Sequence, residues 1–177
     1  MYSHWSTPLD KKRLTVWEVT LFGILAALTF GAKVAMSALP NIEPVTLFLM
    51  VFGAVFGWKS LFIVYVYVLA EILFYGLGTW NINYLYIWVI PAVAGWLLRQ
   101  WKHPVFWAVV AGAYGLLFGV LCAPVDVCIG GIGFAASKWI SGIPFDAAHC
   151  AGNFVMALLL FSPLRKLTQR LATHRLR

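Results

Sequence analysis

The chain has 177 residues, 62% of them apolar and only 11% charged, and its mean hydropathy is +0.85. That composition excludes an ordinary water-soluble domain and points to a bilayer as the solvent. The formal charge of +7 does not point to nucleic acid, because the basic residues punctuate apolar segments instead of collecting in one stripe.

Crossing about 30 Å of hydrocarbon takes about 20 apolar residues per helix. Six such spans with short connections use nearly everything after residue 13, so the reading is a single membrane domain over 1–177. It divides into a cytoplasmic N-terminal segment (1–13), a six-helix bundle (14–163) and a basic cytoplasmic tail (164–177). Lys11, Lys12 and Arg13 precede the first apolar stretch as in a secretory signal. That stretch is too long and has no small-x-small cleavage site, so it is expected to remain as the first helix.

In chain order the predicted spans are Val16 to Ala38, Val45 to Trp58, Leu61 to Leu77, Tyr84 to Leu98, Val105 to Cys122 and Phe145 to Phe161. The second is short. Breakers separate them: Pro40 and Pro44, Gly57, Gly76 and Gly78, His103-Pro104, and the run Pro124 to Gly133. Pro91 falls inside the fourth span and should kink it. With the N-terminus in the cytoplasm, Lys11, Lys12, Arg13, Lys59, Arg99, Lys102, Arg165, Lys166, Arg170, Arg175 and Arg177 all fall on the inner side, and only Lys33 and Lys138 fall elsewhere. This asymmetry favours an even number of spans, with both termini cytoplasmic, in a multi-pass plasma-membrane protein. Trp17, Trp58, Trp80, Trp101, Trp107 and Trp139 sit near predicted span ends, as an interfacial belt requires.

Four groups of residues could carry function. Gly23, Ala27, Gly31 and Ala35 form a ladder of small side chains on one stripe of the first helix, which lets another helix approach closely, from this chain or another protein. Lys33 and Glu71 are ionisable residues within apolar segments, and charge there should be paired or face a polar cavity; an ion pair between them is the economical arrangement. Asn41, Glu43, Trp80, Asn81, Asn83, Tyr84, Tyr86 and Asp126 crowd the outer ends, where together they could wall a cavity for a small planar polar molecule. Asp146, His149, Cys150 and Asn153 recur at helical spacing and share a face of the last helix, which should look into the bundle.

Metal binding is not signalled. His149 and Cys150 are adjacent and diverge by about 100° on a helix, and no second ligand pair is spaced for it. Cys122, Cys128 and Cys150 show neither a CxxC spacing nor an even count.

The segment Leu39-Pro-Asn-Ile-Glu-Pro-Val-Thr-Leu47, followed by Phe56-Gly-Trp-Lys59 and Trp80-Asn-Ile-Asn-Tyr-Leu-Tyr86, resembles patterns in the substrate-binding S components of energy-coupling factor (ECF) transporters of unassigned or cobalamin-type substrate. These are small membrane subunits that capture vitamins and related micronutrients, and the similarity in size, helix number and basic cytoplasmic end extends over essentially the whole chain. The resemblance implies a binding protein, not an enzyme, that captures a vitamin-like substrate near the outer surface and delivers it inward. Its implied partners are membrane lipid, a membrane coupling subunit and two cytoplasmic ATPases. ATP is then used by the partners alone, since no Walker motif is present. Under the same resemblance Gly23, Ala27, Gly31 and Ala35 dock onto the coupling subunit, although the family's pattern is dominated by alanine. Glu43, Asn81, Asn83, Tyr84, Asp146, His149 and Asn153 become ligand contacts, with Trp80 and Tyr86 as stacking walls.

Two other classes compete. A self-contained carrier or channel would use Lys33 and Glu71 to line an ion path. An intramembrane enzyme would use Asp146, His149 and Cys150, but adjacent helical positions reach one another poorly, and neither a GxSG-like serine site nor an HExxH pair is present.

Overall fold

A computed structural model describes residues 13–39 and 42–173. Lys11, Lys12, Pro40, Asn41, Arg175 and Arg177 lie outside the described residues. Among the described residues every regular element is helical.

Helix α1 (Val16–Ala35) begins with a reciprocal cap: the Glu18 amide donates to Thr15 Oγ1 (3.3 Å) and the Thr15 amide donates to Glu18 Oε2 (2.8 Å). This satisfies donors that a helix start otherwise leaves orphaned. Helix α2 (Val45–Phe56) is the centre of the molecule, with ten of its twelve residues buried. At about 18 Å it is too short to cross a bilayer alone. A 3₁₀ turn (Gly57–Lys59) leads directly into α3 (Ser60–Tyr75).

Pairwise contacts fix the directions of these helices. Glu18 meets Lys59 and Lys33 meets Glu71, so α1 and α3 run parallel while α2 returns between them. Helices α4 (Trp80–Ile87) and α5 (Val89–Leu97) break at Trp88. Pro91 explains the break, since its ring clashes with the carbonyl four residues back, at Ile87. Helices α2 and α5 cross almost backbone to backbone: a side chain on Gly53 would collide with the Ala92 carbonyl, and one on Gly95 with the Met50 carbonyl. Here glycines let the two backbones approach closely, a device that helps apolar helices associate.

Helix α6 (Pro104–Leu116) starts on a proline, which loses nothing at a first-turn position. The long element α7 (Phe118–Thr173) is interrupted at Gly131, whose φ of 79° and ψ of 178° turn the chain back on itself. Only glycine takes that conformation without strain. The arm after the turn packs antiparallel to α6, with Trp107 stacked on Phe161 at 4.1 Å between ring centroids and Gly112 and Gly115 against Cys150 and His149.

Residues 123–144, read from sequence as a broken connection, are therefore helical except at Gly131. Pro124 costs its helix one hydrogen bond without ending it. The boundary expected at residue 163 is likewise absent, because Pro163 lies within α7 and the helix continues to Thr173. Among the described residues three stretches, Val16–Ala35, Val45–Tyr75 and Pro104–Thr173, are long and apolar enough to cross a membrane.

Candidate binding site

Beyond the C-terminal end of α1 a cavity of about 280 Å³ opens among segments distant in sequence. Lys33 and Met36 come from the end of α1, Glu43 from the connection to α2, Tyr75 from α3, Tyr84 from α4, and Phe118 and His149 from the two arms of α7. The parallel run of α1 and α3 brings Lys33 to Glu71, and the Gly131 reversal returns His149 to the same level.

The electrostatics of this region centre on one cation. Lys33 Nζ donates to Glu71 Oε2 at 2.7 Å and to the Tyr84 hydroxyl at 3.4 Å, and it sits 5.1 Å from the centroid of the Tyr84 ring. Glu71 is 1% exposed and Lys33 18%, so the lysine is the member of the pair that reaches the cavity. Glu43 is half-buried and has no hydrogen bond or ion pair with any described residue. Burial pushes its carboxyl up to about 7, Lys33 pulling it down and Glu71 adding to the rise. His149 is 3% exposed, and its Nε2 has no hydrogen-bond partner among the described residues. Its ring meets Phe118 edge-on at 5.0 Å.

Of the residues singled out from sequence, the cavity gathers Lys33, Glu43, Tyr84 and His149. The other described ones lie outside its lining. Asn81 Oδ1 accepts from the Gly78 amide (2.5 Å) at the start of α4, a local turn contact. The Tyr86 hydroxyl donates to the Leu121 carbonyl (2.6 Å) and lies 2.9 Å from Asn83 Oδ1, which ties α4 to α7. Asn83 and Tyr86 thus spend their polar atoms on each other and on backbone. Trp80 packs over Gly78 and edge-on to Tyr84 at 4.9 Å, so it supports the cavity wall from behind. Asp146 accepts from the Gly119 amide (3.2 Å), pinning the two arms of α7 together. Asn153 Nδ2 donates to Thr46 Oγ1 at 3.3 Å, deeper in the bundle. Asp126 pairs with Lys138 across the Gly131 hairpin (2.5 Å). The three cysteines are free thiols, and no cluster of metal-ligating side chains forms among the described residues.

Sequence reasoning missed two things. Tyr75 and Phe118 line the cavity, yet nothing separates them in sequence from lipid-facing aromatics. Lys59, assigned to a cytoplasmic connection, is 1% exposed and donates to Glu18 Oε1 at 2.7 Å. The Thr15-x-x-Glu18 pattern marks a helix cap, but nothing local shows that its carboxylate also holds a lysine 41 residues away.

The small-residue ladder lies on the outside of the molecule. Ala27, Gly31 and Ala35 are exposed and Gly23 is half-exposed. A side chain built on Gly23 or Gly31 would meet nothing within 4 Å. No helix among the described residues packs on Gly23 or Gly31 of the stripe. Comparison with protein-family models, with curated proteins and with solved structures returned no match.

Proposed function

We propose that this protein is the substrate-capture subunit of an ECF-type importer: a six-span plasma-membrane protein with both termini in the cytoplasm that binds a small vitamin-like compound at its outer end. The observation that carries this reading is the cavity itself, where Lys33, Glu43, Tyr84 and His149 from four separate parts of the chain converge at one end of an apolar bundle. Polar groups gathered at membrane depth mark a solute site more often than a scaffold.

Two further features support it. Arg13, Lys59, Arg99, Lys102 and Arg165 gather at the opposite end, where Arg165 donates to the Arg99 and Trp101 carbonyls. With that end in the cytoplasm the basic residues follow the positive-inside bias and the cavity opens outward. The stripe of Gly23, Ala27, Gly31 and Ala35 faces away from the bundle, where a coupling subunit would dock. Energy then comes from ATP hydrolysed by two cytoplasmic ATPases, with no cofactor in this chain.

Co-expression with coupling subunits and ATPases tests the reading. A tagged chain should retain such a complex, and uptake should require it. Transport by the chain reconstituted alone would replace this reading with a self-contained carrier.

A further inference from the structure

The cavity also constrains what it can hold, and this step rests on the capture reading above. Its volume of about 280 Å³ falls at the small end of the roughly 300 to 1,000 Å³ usual for ligand pockets. That space takes one ring or two fused rings and excludes a macrocycle. Tyr75, Tyr84 and Phe118 are among the lining side chains, and an aromatic lining favours a planar guest over a branched one.

The charges decide the polarity of the guest. Lys33 is the cation that lines the cavity, and it is already held by Glu71 and the Tyr84 hydroxyl. Two carboxyls, Glu43 and Glu71, therefore share this one cation, and Glu43 is the one of the two without a hydrogen bond to any described residue. An incoming phosphate or carboxylate would meet Glu43 at the cavity wall, beside a lysine whose charge is already shared with Glu71. A group that donates N–H or carries positive charge would instead give Glu43 the partner it lacks, and charge-assisted hydrogen bonds of this kind are the strong ones. His149, buried and with Nε2 unpartnered among the described residues, also lines the cavity.

We propose that the cavity selects a small, flat nitrogen heterocycle that presents an N–H edge, as an exocyclic amine or protonated ring nitrogen, to Glu43, and that it rejects phosphorylated and macrocyclic compounds. The pH response of Glu43 fits this assignment, since an acid poised near neutrality loses its proton readily, to solvent when a cationic guest binds or to the guest itself when that is a neutral base. Lys33, Glu71, Tyr67, Tyr75, Tyr84, Tyr114 and His149 are the titratable groups around it among the described residues.

The test is mass spectrometry of small molecules retained by the full chain in lipid nanodiscs, comparing the wild type with Glu43→Gln and with Ala27→Leu as a folding control. A library of amino-substituted pyrimidines, pterins and purines is titrated in parallel by thermal shift. The expected result is a nitrogen heterocycle on the wild type and on Ala27→Leu, reduced about tenfold or more on Glu43→Gln, as loss of one charge-assisted hydrogen bond requires. A retained compound that is phosphorylated or macrocyclic, or one held equally by Glu43→Gln, overturns the ligand class but leaves the capture role standing. If nothing is retained and nothing in the library shifts the melt, both readings fall.

Discussion

Two ion pairs join α1 to α3, one near each end, and they differ in what surrounds them. Glu18 and Lys59 are 6% and 1% exposed, and Glu18 is also locked into the α1 cap through Thr15. Lys33 and Glu71 have the same 2.7 Å separation, but Lys33 is 18% exposed and lies beside a cavity that holds a further acid and an unpartnered imidazole. The first pair is closed on all sides and can only fasten two helices. The second faces a space with polar capacity left over. The same side-chain chemistry is thus enclosed at one end of α1 and beside a cavity at the other.

The largest effect should come from breaking the closed pair. Lys59→Met leaves Glu18 as a buried uncompensated charge, and such disruptions cost about 3 to 5 kcal/mol. Thermal unfolding in detergent should show a large drop in melting temperature, and replacing both partners (Glu18→Gln with Lys59→Met) should recover most of it. No recovery in the double variant would mean that packing of the lysine stem, not charge, holds the two helices.

A smaller stability loss, of about 1 to 3 kcal/mol, is expected from Glu71→Gln, because Lys33 keeps the Tyr84 hydroxyl and some contact with solvent. Ligand retention should fall as well, which Lys59→Met with its charge-neutral partner should not cause. Loss of stability without loss of retention would make the two pairs equivalent and remove the contrast between them.

Much of this arrangement was legible in the sequence, for physical reasons. Spans one to three fall within about three residues of α1, α2 and α3, because uninterrupted apolar runs bounded by proline and glycine leave little freedom in placing helix ends. The Gly131 hairpin was not legible. Pro124 and a cluster of glycines look alike in sequence whether they end a helix or sit within one, and a single φ of 79° makes the difference. The same limit applies to the cavity. Glu43, Tyr84 and His149 were recognisable as polar groups at span ends, but so were Asn83 and Tyr86. Only the fold shows that these last two satisfy each other and the Leu121 carbonyl. The Glu18 to Lys59 pair was hidden because it depends on the parallel alignment of two helices that are not consecutive.

Removing the spare acid separates stability from recognition more finely. In the folded chain the Glu43 carboxyl is raised to about 7 from 4.5. A raised acid contributes stability that is complete below its unfolded value and is lost as pH rises through the folded one, so the melting temperature should fall between about pH 5 and pH 8. Glu43→Gln should flatten that slope while keeping or slightly raising the melting temperature at pH 8. His149 remains in the variant, so a slope that persists there would assign the titration to the imidazole or another group.

The smallest effect on the isolated protein is expected on the stripe, and it bears most directly on function. A side chain added at Gly31 meets nothing within 4 Å, and Ala27 is exposed. Gly31→Leu and Ala27→Leu should therefore change stability by less than about 0.5 kcal/mol, as surface changes away from special features do, and should leave ligand retention intact. Uptake in cells is a separate matter, because leucine at either position holds an approaching helix away from the backbone contact that small residues permit. Uptake abolished in a variant that still folds and still binds places the partner on this face. Full uptake in both variants would remove the stripe as the docking face of the proposed coupling subunit.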